Sequence, residues 1–279
     1  VMAGRLQRPA WVNAMRQAGL AESQVQDIAA LISDHYVDWQ EATFPGLLGN
    51  VIAGRIANRF DLTGSNYVTD AACASSLSAL QIALHELRSG DSDTVLTGGV
   101  DALNDILMYM CFSKTPALST SGDCRPFSTR ADGTMLGEGI GMLALRRLDD
   151  AERDGNHIYA LIKGLGGASD GKGTAIYSPV PHGQARALKR AYDQAGYNPS
   201  TVDLVEAHGT GTKAGDKAEI EGLHLVFGEY AADEPWCAVG SVKAQIGHTK
   251  AAAGSASLIK VTHALSRKVL PCLLYTSDA

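Results

Sequence analysis

Apolar and amphipathic stretches alternate along the chain, and their spacing predicts strands and helices in turn. Apolar positions three or four residues apart predict helices over residues 9–20, 22–32, 46–60, 74–88, 183–196, 218–227 and 251–267. Short apolar runs predict strands over residues 94–98, 141–148, 158–165, 202–206 and 237–242, and a further short strand is predicted over residues 65–70. Because several of these strands are uniformly apolar, we expect an α/β protein whose sheets are covered by helices.

Composition and charge narrow the class of protein. The chain has 279 residues, is 45% hydrophobic and carries a formal net charge of −6. That charge argues against a nucleic-acid binder, which normally presents a basic surface, and no apolar run approaches the roughly 18 residues of a membrane helix. Five Cys without a CxxC pair do not suit a disulfide scaffold, so we expect a cytoplasmic protein. No secretory signal opens the chain, and both ends are expected to be cuts through a longer protein.

Cys73 has the best setting for a nucleophile. It lies between a predicted strand and the predicted helix of residues 74–88, among small neighbours that leave room for a substrate. A helix start offers unpaired N–H groups and the positive end of the dipole, which favour a thiolate. A packed core thiol is the alternative, since free Cys is often buried. The other four cysteines lack this setting: Cys111, Cys124, Cys237 and Cys272.

Two His residues occupy matching positions in the pattern. His208 follows the predicted strand of residues 202–206 and enters a Gly-rich turn, and His248 follows the strand of residues 237–242, with Lys243 in between. Ligands commonly bind at the carboxyl ends of strands in α/β folds. Each His alone is explained by a structural role, but a thiol and two imidazoles at strand ends together favour a catalytic site.

Two other chemistries are disfavoured. Gly166–Lys172 approaches the phosphate-loop pattern G-x-x-x-x-G-K, but Gly173 replaces the Ser or Thr that would hold magnesium, and Pro179 and Pro181 follow where a helix should start. The candidate metal ligands lack regular spacing and an acidic cluster, so no metal site is expected.

Three segments carry a family resemblance. DAACASSLSAL (70–80), VEAHGTGTKAGDKAEIEGL (205–223) and GSVKAQIGHTKAAAGSASLIK (240–260) resemble the signature blocks of β-ketoacyl synthases of the thiolase superfamily. The spacings of 135 residues from Cys73 to His208, and of 40 to His248, are similar to those of the family. CRPFSTRADGTMLGEG, Cys124–Gly139, is similar to its loop near the acyl channel. FPGLLGNVIAGRIANRF and MYMCFSKTPALS most resemble the synthase domain of polyunsaturated fatty acid synthases and related iterative polyketide synthases.

The resemblance implies a layered, thiolase-like α/β fold with buried mixed sheets. It also implies a role for each candidate site residue. Cys73 would accept the acyl group, and His208 and His248 would bind the malonyl thioester carbonyl and stabilise the enolate formed on decarboxylation. Lys243 would hold and polarise this pair, and Glu219 would support the network. A soft nucleophile and neutral hydrogen-bond donors are what Claisen chemistry requires.

The similarity runs from about Phe44 to Leu270. Residues 1–271 are therefore expected to be a partial synthase domain, with 1–43 a looser helical lead-in and 272–279 a tail outside the family, for which an end artefact is one explanation. Lys217 stands where the family usually has Pro, a variation typical of the polyunsaturated branch. The opening strand-helix unit and the closing glycine-rich loop of the family are missing, so we expect the isolated fragment to fold poorly and to be inactive.

The resemblance also implies the partners. The substrates would arrive on the phosphopantetheine of an acyl carrier protein, usually in the same polypeptide, and the synthase would be a homodimer. No bound cofactor, metal, nucleic acid or membrane span is expected. Because carriers are acidic, a local basic face is expected, and the residues suggested for it are Arg55, Arg59, Arg125 and Arg130.

Three rival functions stay open at this point. A degradative thiolase would use a second Cys as base, where this chain has His248 with Lys243. A non-catalytic scaffold or chain-length partner would lack the nucleophile that Cys73 offers. A Cys hydrolase would want a nucleophile elbow, but no Gly stands two residues before the Cys.

Overall fold

The computed structural model describes residues 6–173, 175, 177–230 and 235–271. The chain divides into two compact units, Val1–Val68 and Thr69–Ala279. The candidate chemistry lies in the second unit.

Three α-helices lie among the described residues of the first unit. They are α1 (Arg8–Gln17), α2 (Glu22–Asp34) and α3 (Val51–Phe60). Its core comprises Val12, Val25 and Ala29, with Met15 and Leu20 packed against them. The first two helices match their predicted spans closely. The third is predicted from residue 46 but begins at Val51, because residues 45–47 form a separate 3₁₀ turn.

A two-stranded antiparallel sheet underlies the first half of the second unit. Strands β1 (Thr94–Asp101) and β2 (Gly139–Arg146) pair from Thr94↔Arg146 to Asp101↔Gly139. Helices α4 (Ser75–Ser89) and α10 (Ala253–Arg267) contact this sheet. Gly99 permits the close approach, since a Cβ there would lie 2.6 Å from the carbonyl oxygen of Ala251 and 2.8 Å from Ser76 Cβ.

A two-stranded parallel sheet supports the second half. It consists of β3 (Leu204–Glu206) and β4 (Ala238–Gly240). Helices α7 (Pro181–Ala195) and α8 (Lys213–Phe227) pack on each other. Helix α8 begins five residues before its predicted start at 218, because the Thr212 side chain accepts a hydrogen bond from the Gly215 N–H and caps the helix. Gly166, from the rejected phosphate-loop pattern, packs tightly against α7 at Ala187.

Three shorter helices complete the described elements: α5 (Ile106–Lys114), α6 (Leu148–Arg153) and α9 (Lys243–Ile246). No helix in the described part of the chain is long and apolar enough to cross a bilayer.

Two strand predictions are wrong. Residues 65–70 and 158–165 form no strand, although the second run is largely apolar and the first contains Tyr67 and Val68. A strand exists only when a neighbouring segment accepts and donates its backbone hydrogen bonds, and within the described residues neither run joins a ladder. Their large side chains remain exposed, with Val68 at 49% and Tyr159 at 55%.

Candidate active site

Cys73 sits in the short turn that leads into α4. The turn is a 3₁₀ helix, Ala72–Ala74, and Ala72 takes a left-handed backbone conformation with φ of 49°. Asp70 Oδ1 accepts the Ala72 N–H at 2.9 Å, and Ser75 Oγ accepts the Ala71 N–H at 2.9 Å while donating to the Ala72 carbonyl. These bonds fix the backbone on both sides of Cys73 and thereby the position of its thiol.

His248 lies directly against this thiol. Its backbone N–H donates to the Met135 carbonyl at 2.6 Å, and its Nδ1 accepts the Lys250 N–H at 3.0 Å. A neutral imidazole whose Nδ1 accepts carries its proton on Nε2. That Nε2 is 3.1 Å from Cys73 Sγ. The backbone of residue 250 thus makes His248 an N–H donor toward the sulfur.

His208 faces His248 from the end of β3. Their ring centroids are 5.4 Å apart and the rings are nearly perpendicular, at 87°. Glu219 on α8 holds the backbone here: its Oε1 accepts the His208 N–H at 2.6 Å and its Oε2 accepts the Gly209 N–H at 2.7 Å. Glu219 therefore positions the His208 loop through two backbone contacts.

Lys243 is the first residue of α9, and its charge acts on both imidazoles. It is only 2% exposed. Its backbone N–H donates to Ser241 Oγ, and the Ser241 hydroxyl donates to the Gly209 carbonyl at 3.1 Å, so one serine links the two His segments. Burial lowers the pKa of Lys243, and the charge of Glu219 is the largest influence that opposes this.

The surroundings keep both imidazoles neutral. Burial of the imidazole, followed by the charge of Lys243, lowers the pKa of His208 to about 3, although the residue as a whole is exposed. The same two causes lower the pKa of His248 to about 2. Neutral imidazoles can donate a hydrogen bond to an oxygen that becomes negative without first losing a proton.

The helix start alone does not set the pKa of Cys73. Burial raises the pKa of the thiol, and it outweighs the lowering effect of the Lys243 charge. Placement in a one-turn 3₁₀ segment before α4, inside a packed site, destabilises the charged form more than the backbone stabilises it. The sulfur is therefore protonated at neutral pH, and its thiolate depends on the Nε2–H of His248 and the nearby cations.

The structure brings together residues from all three sequence blocks. One potential ligand atom from each of Cys73, His208 and His248 lies within 4.8 Å of the others, and no other such cluster occurs among the described residues. Cys111 is exposed, Cys124 is buried and Cys237 is half-buried, all outside the cluster. Cys272 lies outside the described residues.

The same three side chains are close enough to suggest a soft metal ion, but the hydrogen bonding opposes it. Coordination through His248 Nε2 requires that nitrogen to be free of its proton, which would then move to Nδ1. Nδ1 already faces the Lys250 N–H at 3.0 Å, so two donors would meet. The donor set therefore fits a thiol with hydrogen-bond donors better than a metal site.

Two buried ion pairs next to the site are not predicted by the sequence patterns. Lys250 Nζ lies 3.1 Å from Asp101 Oδ1, and Lys260 Nζ lies 2.6 Å from Glu206 Oε2. The Glu206 carboxylate also accepts the Val242 N–H at 2.6 Å, next to Lys243. A charged residue within a signature block whose other residues are packed could have indicated a buried ion pair. It could not have indicated which residue is the partner.

The suggested basic residues are divided between the two units. Arg55 and Arg59 lie on α3 in the first unit, whereas Arg125 in the second unit is paired with Asp123 at 3.0 Å. The Arg130 backbone N–H donates to Ser128 Oγ. Which surface receives a partner remains a prediction.

Comparison with known proteins identifies the class. The N-terminal domain of β-ketoacyl synthases matches residues 9–151 and their C-terminal domain matches residues 159–276. The chain therefore belongs to the β-ketoacyl synthase family.

Individual relatives agree with this assignment. The chain is 46% identical over 259 residues to a polyunsaturated fatty acid synthase subunit from a Thraustochytrium species, covering 92% of this chain and 9% of that protein. It is 40% identical over 253 residues to polyketide synthase GfsA of Streptomyces halstedii, covering 91% of this chain and 3% of that protein. The chain thus spans a small part of these relatives.

Solved structures show the same fold. The ketosynthase from module 6 of the Bacillus subtilis bacillaene synthase superposes with a TM-score of 0.79 at 39% identity, over 83% of this chain and 41% of that one. A ketosynthase from module 1 of the Bacillus amyloliquefaciens bacillaene synthase gives 0.78 at 36% identity, over 86% and 43%. The predicted thiolase-like α/β fold is confirmed.

Proposed function

We propose that this chain carries the catalytic site for decarboxylative Claisen condensation, in which an acyl group on Cys73 is elongated by a malonyl unit. The observation that carries the proposal is the cluster of one thiol and two neutral imidazoles, with His248 Nε2 at 3.1 Å from Cys73 Sγ. The family membership supports the reaction class.

In the first half-reaction, Cys73 takes up the acyl group. The thiol loses its proton, and the thiolate, stabilised by the His248 Nε2–H and the Lys243 charge, attacks the carbonyl carbon of the incoming thioester. The bond from that carbon to the carrier sulfur breaks, and the carrier leaves as a thiol after taking up a proton. The product is an acyl thioester on Cys73.

In the second half-reaction, the imidazoles act on the malonyl thioester. Loss of CO₂ leaves an electron pair that becomes an enolate, and the negative charge develops on the thioester oxygen. N–H groups of His208 and His248 donate to that oxygen, which is where preorganised donors lower the barrier most. The enolate carbon then attacks the acyl carbon, and Cys73 leaves as thiolate. Lys243 adds a positive charge close to both steps.

The partners follow from the same chemistry. We propose that acyl and malonyl groups arrive on the phosphopantetheine arm of an acyl carrier protein and that the synthase acts as a homodimer, as one partial domain over residues 1–271. The 46% identity to a polyunsaturated fatty acid synthase subunit favours that branch over the modular polyketide synthases, at 40%. A reducing cytoplasm, which we propose as the location, would keep the Cys73 thiol free.

Replacing His208 separates the two half-reactions. In the full-length gene product, His208→Leu, which has no hydrogen-bond donor, should still accept an acyl group on Cys73 but should lose malonyl-carrier decarboxylation by a factor on the order of 10² to 10³, the usual cost of one oxyanion donor. Lys217→Gln, an exposed change on α8, is the control. Normal decarboxylation by a folded His208→Leu variant would contradict the proposed role.

A further inference from the structure

Lys250 is the most heavily anchored side chain next to the site. It is 6% exposed, and its ammonium reaches Asp101 Oδ1 at 3.1 Å, Asn104 Oδ1 at 2.6 Å and the Gly137 carbonyl at 2.9 Å. Asp101 ends β1, and its Oδ2 accepts the Ala251 N–H at 3.4 Å. A buried ammonium with three acceptors has its hydrogen-bonding capacity filled. This side chain therefore ties its own turn to the end of the central hairpin.

The backbone of the same residue bonds to the catalytic imidazole. The Lys250 N–H is the donor that His248 Nδ1 accepts at 3.0 Å. Lys250 makes this bond from a left-handed conformation with φ of 49°, which a residue other than Gly adopts only against a steric cost. Something must hold the backbone there, and the ammonium contacts on the same residue do so.

The anchored segment also brackets His248 from the other side. The Gly137 N–H donates to the His248 carbonyl at 3.0 Å, while the Gly137 carbonyl accepts the Lys250 ammonium. The imidazole is thus fixed between two backbone segments that the Lys250 side chain joins. If the Lys250 side-chain contacts were lost, the turn would be free to move, although every atom of His248 would remain.

We propose that the buried Lys250–Asp101 pair is a positioning device for His248. It holds the Lys250 backbone in its strained conformation, so that its N–H stays on Nδ1 and the imidazole presents Nε2–H to the thiol and to the substrate oxygen. The role assigned to His248 rests on the proposed function, but the geometry of the device does not. The groups that face His248 are the Cys73 thiol, the His208 ring and the charges of Lys243 and Lys250.

The strained backbone supplies a sharp comparison. Asp101→Asn/Lys250→Gly and Asp101→Asn/Lys250→Ala both remove the ion pair, and the Asn avoids leaving a buried carboxylate unpaired. Only Gly adopts the left-handed conformation without cost. The Gly variant should keep the N–H on Nδ1, whereas the Ala variant should relax and release it.

The first readout is the pH dependence of Cys73 alkylation by iodoacetamide, followed by peptide mass spectrometry of the full-length gene product. Release of Nδ1 leaves that nitrogen free to take up a proton, although burial and the Lys243 charge still oppose protonation, so the alkylation profile of the Ala variant should show an inflection at higher pH than any in wild type or in the Gly variant. Alkylation needs no enzymatic turnover, so this result is independent of the proposed condensation.

The second readout is malonyl-carrier decarboxylation. The Ala variant should lose about 10- to 100-fold in kcat with KM within about twofold, the usual scale for residues that orient a catalytic His. Arg147→Met is the control for stability alone, because Arg147 follows the far end of β2 and binds the carbonyls of Leu87 and Ser92. It should leave the alkylation profile unchanged.

The outcomes are distinct. An alkylation profile that is altered in the Ala variant but not in the Gly variant supports positioning by Lys250, and a profile altered in both variants overturns the argument from the strained backbone. A folded Ala variant with the wild-type profile and kcat overturns positioning by Lys250. If the Ala variant does not fold, Asp101→Asn alone should give an intermediate profile, and a wild-type profile there overturns the proposal. Absence of decarboxylation in wild type would count against the proposed function and not against this device.

Discussion

The substitution Glu219→Gln isolates the support of the His208 loop. Both carboxylate oxygens are in use, one on the His208 N–H at 2.6 Å and the other on the Gly209 N–H at 2.7 Å. Gln has the same shape but a single acceptor oxygen, so its NH₂ group must face one of these N–H donors. One backbone donor in a half-buried turn would then lose its partner.

The size of the effect follows from two opposing contributions. Leaving one such N–H unsatisfied costs about 1–3 kcal/mol, and exchanging a charged acceptor for a neutral one weakens the remaining bond. Burial raises the pKa of Glu219 in spite of the bonds it accepts, so the carboxylate itself carries a desolvation cost that Gln avoids. We therefore expect a net loss of about 1–2 kcal/mol in the free energy of unfolding.

The assay is urea unfolding of the full-length gene product, with Glu221→Gln as the matched control. Glu221 lies on the same helix, but it is exposed and pairs only loosely with Lys217 at 3.8 Å. Its replacement should change the free energy by no more than about 0.5 kcal/mol. Equal urea midpoints for Glu219→Gln and Glu221→Gln, at unchanged slope, would refute the idea that the two backbone contacts hold this loop.

Two further measurements test the electrostatics of the site, one on wild type and one on variants. The pKa of Cys73 is raised above its usual 9.0, and both His stay neutral. The rate of wild-type Cys73 alkylation should therefore rise by up to about tenfold per pH unit from pH 7 to 9, with no inflection at pH 5–8. An alkylation rate that is flat above pH 7 contradicts this. Lys260→Met should cost about 3–5 kcal/mol by leaving buried Glu206 unpaired, and adding Glu206→Gln should restore most of it, as read from thermal unfolding. No recovery in the double variant would show that packing, and not charge, is responsible.

The sequence predicts the candidate site cluster better than it predicts the sheets. His208 and His248 could be found because each follows an apolar strand and a Gly lies next to it, and Cys73 because it directly precedes an amphipathic helix among small residues. Residues 158–165 have an equally apolar pattern but form no strand, and neither do residues 65–70. Strand formation depends on a partner distant in sequence, and the pattern of one segment does not specify it.

The network around Lys250 shows the same limit. Asp101 and Asn104 bind its ammonium across about 150 positions of sequence, and no periodicity links them. The pKa of Cys73 shows a related limit, because the helix start near Cys73 is visible in the sequence whereas the burial that raises the pKa of the thiol is not. Contacts between residues of one sequence block can be predicted from the sequence. Ion pairs between residues of different blocks can be identified only when the fold is known.

Acylation of Cys73 tests the central claim most directly. The full-length gene product is incubated with an acyl-carrier thioester, and its peptides are mapped by mass spectrometry beside Cys73→Ala and the control Cys111→Ala, which removes an exposed thiol. We predict an acyl adduct on Cys73 in wild type and in Cys111→Ala, absent from Cys73→Ala, and converted to a longer β-ketoacyl product when malonyl-carrier is added. The assignment of Cys73 as the nucleophile would be contradicted if folded wild-type protein carried no acyl adduct. It would also be contradicted if the Cys73→Ala variant carried as much acyl adduct as wild type.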